Sequence, residues 1–79
     1  MADKIVSHQE SRRKMITVNG KQTDNLVGRT IRALLGELSL EATRVVVERN
    51  GQIVARDAYE TTPLVDQDEI EVISFVGGG

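Results

Sequence analysis

The group on this chain best suited to chemistry is its own end, because the last three residues are Gly77, Gly78 and Gly79. With glycine at about 7% of ordinary sequence, three together at one chosen place arise by chance roughly once in three thousand chains. A flexible linker has the same composition, but these glycines follow the strand-like run Ile73-Ser74-Phe75-Val76 directly, with no other linker residues between. A backbone without Cβ atoms fits a narrow channel and reaches φ values closed to other residues. A carboxylate on Gly79, at the end of such a tail, can attack the α-phosphate of ATP. The resulting acyl-adenylate is open to displacement by sulfur or another nucleophile.

The remaining composition closes off most other chemistry. The 79 residues, 39% of them apolar, make one small domain without room for an enclosed substrate cavity. There is no cysteine, which removes disulfides, Cys-ligated metals and thiol nucleophiles. The single histidine, His8, precedes the part that reads as folded, so no serine or threonine there has a histidine base. We therefore expect no independent enzyme, no metal site and no stably bound cofactor. A net charge of -2 argues against nucleic acid as partner. The run Val45-Val46-Val47 falls far short of the roughly 20 residues that span a bilayer. The N-terminus lacks the apolar stretch of a secretory signal, so a cytoplasmic chain without a membrane partner is expected.

Three segments follow from the patterning. Residues 1–14 carry no apolar period and end in Arg12-Arg13-Lys14, which predicts a flexible N-terminal extension. The extension has four basic against two acidic residues. The rest has six against ten, so the folded part is acidic. Residues 15–76 read as one α+β domain, and 77–79 as a flexible tail. Within the domain, Met15-Ile16-Thr17-Val18 alternates and meets Asn19-Gly20, the strongest short hairpin signal, with a return strand to about Asp24. Ile31, Leu34, Leu35 and Leu38 form one helical stripe, with Thr30 as N-cap and Gly36 as a weak point. Val45 to Arg49 makes a strand, and Asn50-Gly51 turns it into Gln52-Ile53-Val54. An irregular crossover over 55–65, with one helical turn, and the turn Asp66-Gln67-Asp68 lead to a last strand from Glu69 to Val76. That order predicts a β-grasp, or ubiquitin-like, fold: a mixed sheet of four to five strands wrapped around one main helix, with one face left open.

Parity then selects the exposed side chains. Ile70 and Val72 share one face of the last strand, whereas Glu69, Glu71, Ile73 and Phe75 share the other. Carboxylates do not face a core readily, so Ile73 and Phe75 should lie on the open face. Val46, out of step with Val45 and Val47, joins them. Val46, Ile73 and Phe75, with Glu69 and Glu71 beside them, are expected to form a partner-docking surface leading into the tail.

Several segments in fixed order resemble a known family. These are Met15-Ile16-Thr17-Val18-Asn19-Gly20, Gly28-Arg29-Thr30-Ile31 with Leu34-Leu35, Val47-Glu48-Arg49-Asn50-Gly51 with Ile53-Val54 and Arg56, Thr61-Thr62-Pro63-Leu64, Asp68 with Ile70-Glu71, and Val76 with the three glycines. Together they resemble the ThiS family of sulfur carriers in thiamin biosynthesis over residues 15–79. Gln67 departs from it, standing where the family has a glycine; a changed turn type is expected there. The resemblance implies that Gly79 is adenylated by a ThiF-like enzyme using ATP and magnesium and becomes a thiocarboxylate. Its sulfur would come from a donor such as a cysteine desulfurase and pass to a ThiG-like thiazole synthase building the thiazole ring. Gly78 and Gly77 would be the threading residues. Two other readings use the same terminus: a MoaD-like carrier for molybdopterin synthesis, and a ubiquitin-like modifier joined to lysines. The tail Ser74-Phe75-Val76 lacks the prolines common in MoaD-like chains.

Overall fold

The computed structural model describes residues 13–75. Residues 1–12, Val76 and the three terminal glycines lie outside the described residues. Five strands form one mixed sheet: β1 (Ile16–Val18), β2 (Lys21–Thr23), β3 (Val45–Arg49), β4 (Gln52–Ile53) and β5 (Glu69–Ser74). Their spatial order is β2-β1-β5-β3-β4, with β1 parallel to β5 and the other neighbours antiparallel. Among the described residues one helix, α1 (Ile31–Glu37), packs on one face, and 3-10 turns occupy Ala42–Arg44 and Arg56–Ala58. This is the expected β-grasp arrangement.

Both hairpins close on their Asn-Gly pairs through residues in the left-handed region: Asn19 at φ 49° with Gly20 at 85°, and Asn50 at φ 52° with Gly51 at 85°. Thr30 caps α1, its Oγ1 accepting from the Ala33 N–H at 3.1 Å. The helix ends in a left-handed Ser39 at φ 59°. The Ser39 N–H donates to the Gly36 carbonyl and the Leu40 N–H to the Leu35 carbonyl, the paired bonds of a Schellman cap. That cap corrects one expectation. Leu38 belongs to the stripe by spacing, but it is the last residue before the chain turns away and is 40% exposed, while Ile31, Leu34 and Leu35 are buried.

The core joins that stripe to Ile16, Val18, Val45, Val47, Ile70 and Val72 of the sheet, and takes in Leu26, Tyr59 and Leu64 from the connections. The last three have no periodic context in the sequence. Long-range bonds, Leu64 N–H to Arg29 O, Gly28 N–H to Leu64 O, Ile31 N–H to Thr62 O and Arg32 N–H to Tyr59 O, hold the Tyr59–Leu64 connection against the start of the helix. The last strand ends at Ser74, short of the expected Val76, although the Phe75 N–H still reaches the Arg44 carbonyl at 3.1 Å. Gln67 adopts φ 75°, so it takes the left-handed conformation itself where a changed turn was expected.

Asp68 ties the start of β5 to the β3–β4 turn. Buried at 5% exposure, it accepts from Arg49 Nε at 3.0 Å, Asn50 Nδ2 at 3.0 Å and the Val65 N–H at 2.9 Å. Asp68→Ala strands three donors in a poorly hydrated place and should lower unfolding free energy by about 3 kcal/mol, measured by urea denaturation.

A second carboxylate anchors the chain where it enters β1. Asp66 Oδ1 accepts the Met15 N–H at 2.8 Å, and the Gln67 N–H returns to the Met15 carbonyl. The Met15 amide, then the Gln67 side-chain amide, hold the Asp66 pKa below its ordinary 3.8. A lowered carboxylate pKa gives stability that is present above the unfolded value and lost as pH falls through the folded one. Asp66→Asn keeps an acceptor and removes the titration. The stability gap between wild type and this variant should therefore narrow on acidification through the region at and below pH 3.8, followed as urea midpoints.

Candidate functional site

The site is best built from β5 outward. β5 is the central strand, flanked by β1 and β3, so its position is fixed from two sides. Its burial alternates: Ile70 and Val72 lie under α1, whereas Glu69, Glu71 and Ile73 face outward. Phe75 is 44% exposed and Ile73 49%.

Register assembles the outer face row by row. Val46 of β3, half-buried, stands directly opposite Ile73. Opposed antiparallel side chains have Cβ atoms about 5 Å apart, so the two form one apolar pair. One row further from the tail, Glu48 opposes Glu71 and also opposes Ile53 of β4. The next row pairs Thr17 of β1 with Glu69. The open face thus grades from apolar at the tail end to acidic at the other, over strand spacings of about 3.3 Å per residue. The structure brings Val46 and Ile73 together and places Phe75 next along the chain, with Glu71 and Glu69 successively further away.

Two members of this face were not singled out in the sequence. Ile53, 71% exposed, extends the apolar area to the edge strand, and Glu48 sets a second carboxylate against Glu71. The signal for both was present. A two-residue Asn50-Gly51 loop makes Arg49 and Gln52 opposite neighbours, so Ile53 must share a face with Glu48. Like charges directly opposed are unfavourable, and Glu48 facing Glu71 contributes nothing to the isolated domain. A partner cation between them would relieve that repulsion.

Gly77, Gly78 and Gly79 lie outside the described residues, so the geometry stops at their doorstep. The Phe75 N–H to Arg44 carbonyl bond holds the last described residue beside the start of β3. Among the described residues, no group of three or more His, Cys, Asp or Glu side chains is placed to hold a metal ion, and no helix is long and apolar enough to cross a membrane.

Comparison with known proteins follows the same outline. The sequence profile of the ThiS family matches residues 13–79. The sulfur carrier protein ThiS of Bacillus subtilis is 41% identical over 66 residues, 82% of this chain and 100% of that protein. A thiazole synthase of Paramagnetospirillum magneticum is 38% identical over 64 residues, 81% of this chain, which spans only 20% of the synthase's length. The crystal structure of the thiamine biosynthesis protein ThiS from Geobacter metallireducens superposes with a TM-score of 0.67 at 37% identity, covering 82% of this chain and 99% of that one. A mixed five-stranded sheet around one helix, a matching profile over the whole folded part and a full-length relative above 40% identity place this chain in the ThiS family.

Proposed function

We propose that the chain is a sulfur carrier for thiazole formation in thiamin biosynthesis, with its terminal carboxylate as the working group. The observation that carries the reading is the match to the Bacillus subtilis sulfur carrier along that protein's entire length. The thiazole synthases add support for a partner. In two of them a segment like this chain accounts for 20% of the polypeptide, so a carrier-like segment lies within a protein named for thiazole synthesis. A ThiG-like synthase is accordingly the proposed acceptor, with a ThiF-like adenylating enzyme and a desulfurase-type sulfur donor upstream.

The chemistry asks little of the folded domain. The Gly79 carboxylate attacks the α-phosphate of ATP and pyrophosphate leaves. Sulfide then displaces AMP from the acyl-adenylate to give the thiocarboxylate; a persulfide donor gives an acyl disulfide instead, which a second thiol cleaves to the thiocarboxylate and a disulfide. ATP and magnesium belong to the activating enzyme, so the carrier is a substrate of its partners and not itself the catalyst. Gly78 and Gly77 let the end thread a narrow site, since a Cβ there would widen the chain. The domain supplies recognition: Val46, Ile73 and Phe75 as an apolar contact near the exit of the tail, and Glu71 and Glu69 as charges for a basic partner surface.

Incubation with an adenylating enzyme of this family, ATP, magnesium and a sulfur donor should yield an intact mass in which one oxygen is replaced by sulfur. Removal of Gly78 and Gly79 should abolish that product. Isopeptide-linked adducts on target lysines, with no thiocarboxylate, would replace the carrier reading by that of a protein modifier.

The docking surface has its own test. Ile73→Ala and Phe75→Ala should each leave stability within about 1 kcal/mol, because both side chains are half exposed. Each should weaken binding to the activating enzyme by about tenfold if it anchors the contact, read by calorimetry. Charge reversal at Glu69 and Glu71 should slow association and flatten its salt dependence, read by stopped flow.

A further inference from the structure

The Ala42–Arg44 turn holds two groups at one end of the sheet. Its last carbonyl, on Arg44, accepts the Phe75 N–H at 3.1 Å, and its first, on Ala42, accepts the Nε–H of Arg56 at 3.1 Å. Successive residues of a 3-10 turn rise about 2 Å, so the two carbonyls are about 4 Å apart along the turn. The Arg56 guanidinium therefore stands at the same end of the sheet as Phe75, just beyond β4.

That guanidinium is oriented but not neutralised. Among the described residues, Arg13, Arg32, Arg44 and Arg49 each lie 3.0–3.5 Å from a carboxylate oxygen. Arg56 is exposed, and a backbone carbonyl takes the place of a carboxylate. With Nε used, the N–H groups on Nη1 and Nη2 remain, a planar fork that matches one carboxylate. Holding the fork in place beforehand lowers the ordering cost of filling it.

The open face gives this cation a direction. From that end, the face runs from Val46 opposite Ile73 to Glu48 opposite Glu71 and on to Glu69 opposite Thr17. An apolar area thus has a cation at one end and carboxylates at the other. A complementary surface must carry its acid at the Phe75 end and its base at the Glu69 end, so it can lie in only one sense.

Chain length limits what approaches. Four residues follow Phe75, and four extended residues span at most about 14 Å. An enzyme that acts on Gly79 must therefore bring its own surface against this end of the sheet. Residues 15–79 carry six basic against ten acidic side chains, so a phosphate polymer is repelled and a protein carboxylate is the fitting anion.

We infer that Arg56 takes a carboxylate of the enzyme that activates the terminus, and that this contact, opposed to the Glu48 and Glu71 end, sets the sense of docking. The inference rests on the carrier reading and adds to it a residue outside the apolar contact.

Calorimetry of the full chain with a ThiF-like adenylating enzyme, at about 0.05 M and about 0.5 M salt, tests this. Arg56→Gln sets an amide N–H at the same reach for the Ala42 carbonyl while removing the charge and the fork. Its urea midpoint should equal that of the wild type. At the lower salt it should bind about threefold more weakly, and Arg56→Glu about tenfold; at the higher salt both should come within about twofold of wild type, because screening removes a charge contact. A loss that is equal at both salt concentrations, or that accompanies a lowered midpoint of Arg56→Gln, makes Arg56 a brace for the turn and overturns the inference. Wild-type binding by Arg56→Glu also overturns it. Phe75→Ala separates the two proposals. If it weakens binding while Arg56→Glu does not, the docking face stands and only this inference fails; if neither weakens binding, both fail.

Discussion

The structure depends on the fixation of β5. This six-residue strand carries two buried side chains, Ile70 and Val72, on one face and the outward residues of the candidate docking surface on the other. It also leads directly into the glycine tail. The proposed carrier role, in which the end is offered to partner enzymes, requires the strand that precedes that end to be held firmly. A strand bonded on both sides supplies the rigidity, because shifting it by one residue would put Glu69 and Glu71 under the helix.

The loops serve the same strand. Each Asn-Gly turn does more than reverse the chain. Asn19 donates its backbone N–H to the Ile70 carbonyl, and its side-chain Oδ1 accepts from the Val72 N–H at 2.8 Å. Asn50 donates its N–H to the Glu69 carbonyl and accepts the Glu69 N–H on Oδ1 at 2.9 Å. The two asparagines thus continue the ladders beyond the short strands β1 and β3. Asp68 then locks Asn50 and Arg49 to the base of β5. Short strands form marginal sheets alone, and these polar contacts help the three-residue β1 and the five-residue β3 hold a central one.

The division of labour across the domain follows from geometry. One face of the sheet is occupied by the helix, so the proposed recognition surface falls to the other, where strand alternation offers every second residue. Apolar groups at the C-terminal end of β5 and carboxylates further back are the arrangement on which the proposed partner contact rests.

Much of the fold is written in local sequence. The Asn-Gly pairs, the Thr30 cap, the spacing of Ile31, Leu34 and Leu35, and the alternation of Glu69 to Ile73 each act over a few residues, so they determined the elements and the outward face without tertiary information. The proposed chemistry of the tail rests on the same kind of local signal, three adjacent glycines, and lies outside the described residues. Other features needed the assembled chain. Tyr59 and Leu64 enter the core through long-range bonds that no periodicity records, Leu26 joins them from an irregular connection, and Leu38 leaves it because a cap ends the helix first. The joining of Val46 to Ile73, the opposition of Glu48 and Glu71, and the grip of both asparagines on β5 arise from register between strands distant in sequence. Register is a property of pairing, and only the tertiary structure decides which strands pair.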